Sequence, residues 1–374
     1  MPTTEEKETQ GQLLKILKDS LLVPTLAIIT AVIVGGIVIA VVGGNPFDAY
    51  AGLLEGAFGS VKAISETAVW ATPYIFAGLA VSLAFKGGLF NIGGEGQLAL
   101  GATTAAFVGY AVPAWLGYDP PMVIMLPLTL GAGLAVGFIW GAIPGALKAW
   151  TGAHEVINTI MMNYIALNVV SFLMNGPMKD HDPLNVIARS PLIAETARLA
   201  PIFTGLRVHW GFVLALIAAV LVWWVLWKTT LGYEIRTVGS NPDAAKYAGI
   251  NVKKIMTLTM GLSGLLAGIA GAIEVSGLNY RHELGFSSGY GFDAIAIALL
   301  GKNHPAGVVL AAILFAAMRN GATRMQFLTQ IPVDIISVIQ ALILLFVAAD
   351  TIVRYIYRIR QSGEKVVLTR GWGG

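Results

Sequence analysis

The sequence predicts an all-α polytopic membrane protein of about ten transmembrane helices, some of them short or broken. Three observations carry that prediction. Only 12% of the 374 residues are charged, about half the ~25% of an average soluble domain. Hydrophobic residues reach 56%, and mean hydropathy is +0.73. The apolar residues fall into runs of 17 to 26 residues, and about 20 suffice for a helix to cross a core of about 30 Å. This composition excludes a soluble globular protein, a disordered chain and a nucleic-acid binder. The absence of cysteine excludes disulfides, thiolate metal sites and cysteine nucleophiles. The 44 glycines suit close helix–helix approach in a packed bundle.

Taken in order, residues 1–20 are polar, with Lys7, Lys15 and Lys18 ahead of the first apolar run, and read as a cytoplasmic N-terminal segment. The run 21–42 exceeds a signal-peptide core, and no small-x-small cleavage site follows, so it reads as an uncleaved span. Asn45-Pro46 reads as a cap with proline at the first helical position. Phe47, Tyr50, Leu54 and Phe58 then recur at helical spacing, which predicts an interfacial helix over 46–58. Further spans are expected over 66–85, 89–111, 122–147, 155–174, 210–228, 255–276, 305–321 and 333–353. Trp210 marks one end of 210–228, and Trp223, Trp224 and Trp227 the other, as an aromatic belt does. The segment 289–301 is apolar but short and reads as a half-span or re-entrant piece. Counting it gives ten crossings in a membrane domain spanning 21–356, followed by a C-terminal tail over 357–374. Sixteen Lys and Arg fall on the side of the N-terminus and eight on the other, so the positive-inside rule puts both termini in the cytoplasm. The loop 176–209 holds four of the sixteen prolines. It reads as a cap on the bundle, with partner docking as the alternative.

The motifs narrow the chemistry. Gly301-Lys302-Asn303 lacks the upstream glycine and the following Ser or Thr of an ATP-binding loop. His154-Glu155 and His282-Glu283 each lack the second histidine of a zinc helix. No metal site or bound cofactor is expected, and no enzyme activity; if transport uses ATP, another subunit binds it. The largest cytoplasmic loop, 229–254, carries Glu234 and Arg236 and then a full set of helix signals. Asn241 is an N-cap, Pro242 takes the first helical position, Asp243 adds first-turn charge, Ala245 follows, Lys246 lies in the last turn and Gly249 is a stop. They predict about two helical turns outside the membrane, either an ordinary capped loop helix or a coupling helix that seats on an ATPase.

Glu95 and Gln97 lie in a span opened by Gly87, Gly88, Gly93, Gly94 and Gly96, which is poor continuous helix. Asp293 follows Gly289 and Gly291 in a comparable setting. Broken backbone at membrane depth survives only inside protein or along a cavity. These are crossings three and eight, which run in opposite directions as an inverted repeat requires. Phe90, Asn91, Glu95, Gln97, Asn163 and Asp293 are therefore candidates to line a transport pathway; alternatively, the two acids only satisfy nearby backbone donors. Thr159 and Asn163, one turn apart, bond a solute hydroxyl or glue helices together. Gly133/Gly137, Gly141/Gly145 and Gly264/Gly268 are small-xxx-small packing pairs. Ser288-Gly-Tyr-Gly-Phe-Asp293 mimics a potassium-channel filter, but no pore helix precedes it.

The stretches NPFDAYAGLLEGAFGS (45–60), GLFNIGGEGQLALG (88–101), AHEVINTIMMNYIALN (153–168), LGYEIRTVGSNPDAAKYAGIN (231–251) and GYGFDAIAIALLGKNHPAG (289–307) carry a resemblance. The chain resembles permease subunits of bacterial ABC importers for monosaccharides, branched-chain amino acids and nucleosides, and most of all the nucleoside branch served by basic-membrane-protein lipoproteins. Gly94 stands where Ala or Val is common, and His154 where Asn is common; both bear on substrate choice. The resemblance implies the ten-helix fold of type II importers and a core of two permeases, the second a paralogue. It also implies partner ATPase subunits that use ATP and Mg, an external substrate-binding lipoprotein, and the bacterial inner membrane as location. The expected function is nucleoside import. A monosaccharide or other small polar solute is the alternative within the class. An ion-coupled secondary transporter is the alternative outside it, with only Glu95, Asp293, Glu274 and Asp334 as candidate ion sites. An intramembrane enzyme lacks any nucleophile–base or metal pattern.

Overall fold

The computed structural model describes Leu22, residues 25–180, 187–287 and 289–348, and Tyr357. The expected segments 1–20 and 357–374, apart from Tyr357, lie outside the described residues. Seven helices among those described are long and apolar enough to cross a membrane, so this is a multi-pass membrane protein. Two isolated bridges, Arg189 with Glu283 and Pro201 with His209, are the β pairing among the described residues.

Two compact units make up the chain. The smaller joins residues up to Pro46 with those from Asp334 onward. In it, α1 (Thr25–Val41) and α13 (Asp334–Ala348) bring Leu26 and Ala27 against Phe346 and Val347. The Thr30 hydroxyl lies 3.0 Å from that of Tyr357.

The larger unit covers Phe47–Val333. Its helices are α2 (Pro46–Phe58), α3 (Val61–Lys86), α4 (Gly94–Leu116), α5 (Met122–Thr151), α6 (Glu155–Asn175), α7 (Trp210–Lys228), α8 (Thr230–Ser240), α9 (Pro242–Tyr247), α10 (Val252–Glu274), α11 (Tyr290–Leu300) and α12 (Pro305–Thr329). Several begin or end beyond the apolar runs that announce them, because backbone hydrogen bonding does not stop where hydropathy falls. The helix expected from 66 starts at Val61, where the Ser60 hydroxyl accepts from the Ala63 amide at 3.0 Å. The one expected to end at 321 runs to Thr329. Its extra turns are held by Arg324–Glu55 at 2.8 Å, just beyond Asn320, whose amide donates to the Gly56 and Ala63 carbonyls.

Glycines set the central packing. Gly137 and Gly141 of α5 face Gly264 and Gly268 of α10, so closely that an added methyl would strike the opposite backbone. Gly101 of α4 meets Gly268 from another side. The glycine pairs read from the sequence are thus halves of one seam, in which dispersion between backbones replaces side-chain interdigitation.

The expected helix over 46–58 is present as α2. Phe47, Leu54 and Phe58 are exposed, while Ala49, Gly52, Leu53 and Ala57 are buried. Gly52 and Gly56 lie against Met325, Gly321 and Arg324 of α12. Small residues make the protein contact, and the aromatic stripe is left for an apolar interface.

Of the expected loop 176–209, residues 187–209 close over one end of the bundle. The amides of Ser190, Ile193 and Leu199 donate to the carbonyls of His282, Tyr280 and Ser276 at 2.7–2.9 Å. Ile193 and Ala197 are buried with Ala102, Ala106, Met125 and Val275.

Candidate functional site

The two interrupted spans meet. Residues 87–93 are not helical, and α4 starts at Gly94 with Glu95 in its first turn. α11 starts at Tyr290 with Asp293 in its first turn. Each acid therefore sits where the helix dipole favours negative charge. The Gly291 amide donates to Glu95 Oε2 at 2.8 Å, so the carboxylate of one broken span caps the other. Only glycine fits at 291, because an added Cβ would collide with the backbone of Gly94 and Glu95. The Tyr74 hydroxyl donates to Asp293 Oδ2 at 2.7 Å. Tyr74 is itself wedged edge-on between Tyr290, at 5.1 Å, and Phe315, at 6.4 Å. Arg319 lies beyond, its guanidinium 5.9 Å from the Trp70 ring centre.

The six pathway candidates separate into two groups. Asn91, Gln97 and Asn163 are buried and hydrogen-bonded within the protein. Asn91 donates to Gln97 Oε1 at 2.9 Å and to Ser263 Oγ at 2.8 Å, and its own Oδ1 accepts from the Gly93 amide and from Gln97. Asn163 accepts from the Gly96 amide and donates to the Ile92 carbonyl, both at 2.8 Å. In this structure these three tie the non-helical segment to α4, α6 and α10. Thr159 likewise bonds its own helix, to the Glu155 carbonyl at 2.8 Å. Glu95 is buried at 6% exposure, and its alternative reading, a partner for nearby backbone donors, describes this geometry. Phe90 is exposed and Asp293 half-buried, next to the exposed Phe292.

The helix expected in the large loop is α9. Asn241 Oδ1 accepts from the amides of Asp243 and Ala244, each at 3.0 Å, and Pro242 follows at the first position. Gly249 turns the chain with φ +82°, a conformation that suits glycine. Ala245 is buried, while Asp243, Lys246 and Tyr247 are exposed, Tyr247 at 97%. Before α9 stands a helix the sequence reading missed, α8, capped by Thr229 and buried along Gly232, Ile235 and Val238. Glu234 and Arg236 sit on it half-buried, and Arg236 Nε donates back to the Gly232 carbonyl. Thr229 and the Ile235/Val238 spacing are the signals that announce it. Gly239, near the end of α8, rests directly on the backbone of Gly87 and Gly88. The chain thus runs from the exposed α9 through α8 onto the segment that opens the first broken span. Among the described residues, no cluster of three His, Asp or Glu side chains converges to hold a metal ion.

Comparison with known proteins gives the family. Residues 63–348 match the family model described as branched-chain amino acid transport system / permease component. The guanosine ABC transporter permease protein NupP of Bacillus subtilis is 42% identical over 92% of this chain and 97% of its own length. The nucleoside ABC transporter permease protein NupB of Lactococcus lactis is 36% identical over 89% and 92%. The glucose ABC transporter permease protein TsgB13 of Haloferax volcanii is 35% identical over 86% of each chain.

Proposed function

The chain belongs to the family of branched-chain amino acid transport system permease components, and from that premise we propose that it is the membrane permease of an ATP-driven nucleoside importer. The observation that carries the reading is the 42% identity with a guanosine permease across nearly all of both chains. The geometry supports it. The two broken spans abut through Gly291 and Glu95, which gives a joint that parts or closes as the two halves move, and Phe90, Phe292 and Asp293 lie exposed or half-exposed near it. A wide, mildly polar and partly aromatic route suits a neutral solute with a flat base and sugar hydroxyls. We assign the capped helix α9, with Asp243, Lys246 and Tyr247 outward, to the contact with a separate ATPase subunit. A second permease subunit completes the pathway, and a substrate-binding lipoprotein delivers solute from outside. In this reading the protein sits in the bacterial inner membrane with both termini in the cytoplasm, and 229–254 is the coupling loop of a 21–356 permease domain.

A glucose permease at 35% identity supports a monosaccharide as the second reading. Uptake of labelled guanosine, uridine and glucose by cells with and without the gene decides between them. Loss of nucleoside uptake on deletion is the expected result. Loss of glucose uptake alone replaces nucleosides by sugar and leaves the importer class standing.

A further inference from the structure

A cavity of about 220 Å³ lies at the end of the bundle that carries the 187–209 cap. Its walls are α3, the start of α11 and the last turn of α10, which widens into a π-turn over Val275–Asn279. Such turns recur at functional sites because they redirect side chains out of the helical register. Three aromatic rings, Trp70, Phe286 and Tyr290, line the space. Tyr290 stands edge-on to Trp70 at 6.1 Å and, on its other side, to Tyr74, which holds Asp293. The cavity is therefore one ring away from the meeting point of the broken spans.

Its polar groups are unevenly satisfied. Glu66 is paired with Arg207 at 3.1 Å, and Glu283 with Arg189 at 3.9 Å. Arg207 and Glu283 are well exposed and mark the mouth. Glu274 differs: it is only 4% exposed, lines the cavity, and makes neither a hydrogen bond nor an ion pair with another described residue. The Arg207 charge reaches it only at a distance; a buried carboxyl that no donor touches costs about 1–3 kcal/mol, and a ligand that brings donors to it removes that cost. The space is below the ~300–1,000 Å³ typical of pockets for drug-sized ligands, so it has room for one ring system.

Resting on the nucleoside reading above, we propose that this cavity is a docking site for the base of the incoming nucleoside, separate from the joint between the broken spans. The touching rings of Trp70 and Tyr290 form an aromatic wall against which a flat heterocycle packs, and Glu274 takes adjacent N–H donors on its edge. Guanine, whose ring N–H and amino group lie side by side, is the base that meets one carboxylate with two parallel bonds.

The test is equilibrium binding of labelled guanosine to the purified full chain in detergent, without any substrate-binding lipoprotein. Binding is expected, weaker by at least about tenfold for 1-methylguanosine and for inosine, each of which lacks one of the two donors. Glu274→Gln should lower affinity for guanosine and erase the preference over inosine. Trp70→Ala should weaken all three nucleosides together. The comparison of ligands on the unaltered chain holds even if a variant fails to fold. Three results overturn the site: no binding by a chain whose gene supports guanosine uptake in cells, equal affinity for guanosine and 1-methylguanosine, or displacement of guanosine by choline at equal concentration, which marks an organic-cation cage. Absence of nucleoside uptake by the cells themselves overturns the functional reading, and this inference with it.

Discussion

Replacing Gly291 by alanine adds one methyl group where two helix starts touch. The new Cβ would lie 2.6–2.7 Å from the Glu95 Cα and the Gly94 carbonyl carbon, and nearer still to the Glu95 amide nitrogen. All three are backbone atoms, so no rotamer change relieves the clash, and the helices must separate by about an ångström to restore ordinary contact. That separation carries the 2.8 Å bond from the Gly291 amide to Glu95 past hydrogen-bonding distance. Overpacking of this kind costs roughly 1–3 kcal/mol, and loss of a buried bond to a charged group roughly 1.5–3 kcal/mol. The two together give a destabilisation of about 2.5–6 kcal/mol. Glu95→Gln is the control, because it keeps size and an acceptor oxygen and should cost about 1 kcal/mol. The assay is thermal unfolding of the detergent-solubilised complex beside nucleoside uptake by cells. Gly291→Ala should lower the unfolding temperature and abolish uptake, while Glu95→Gln should assemble normally with reduced uptake. Normal uptake and unchanged unfolding in Gly291→Ala would show that the two helix starts do not depend on contact.

Three further outcomes follow from the same geometry. Asp243→Lys reverses charge at the positive end of α9, on an exposed residue; expression should stay normal while ATP hydrolysis and uptake uncouple, as measured by both rates in the assembled complex. Burial pushes the imidazoles of His282 and His209 down to about 4, with Arg207 adding to the effect on His209. Because the folded values lie below the unfolded one, neither histidine affects stability above about pH 6.5, and each costs about 2 kcal/mol at pH 5, where only the unfolded chain is protonated. The cap over 187–209 should therefore become protease-sensitive between pH 6.5 and 4, and His282→Gln should blunt that dependence. Single cysteines at 195, 243 and 365 test orientation: an impermeant thiol reagent applied to intact cells should label only position 195, and labelling at 365 would reverse the topology.

The architecture was largely legible in the chain because a bilayer imposes simple length and polarity limits. The 210–228 span falls at Trp210–Lys228 with its tryptophans at both ends. The capped helix after Asn241 is local chemistry, and local chemistry survives into the fold. The glycine runs before Glu95 and Asp293 announced two interrupted spans for the same reason. What the sequence could not show was which groups meet across distance. Glu95 finds its donor at Gly291, and Asn163 finds Gly96 and Ile92, each in another element. Intramembrane polarity alone cannot tell a residue that faces a pathway from one that ties two segments together, and Asn91, Gln97 and Asn163 each make such a tie. The face of α2 that meets protein gave no signal, because small residues carry little hydropathy yet pack well against another helix. The cavity beside Glu274 depends on a π-turn, which leaves no periodic signal in the chain.

The most direct test of the account is transport in proteoliposomes that hold the whole complex, with ATP inside, and with the binding lipoprotein and labelled guanosine outside. The account predicts guanosine accumulation that requires ATP hydrolysis and stops in Asp243→Lys. Accumulation driven by a proton or sodium gradient without ATP would contradict it.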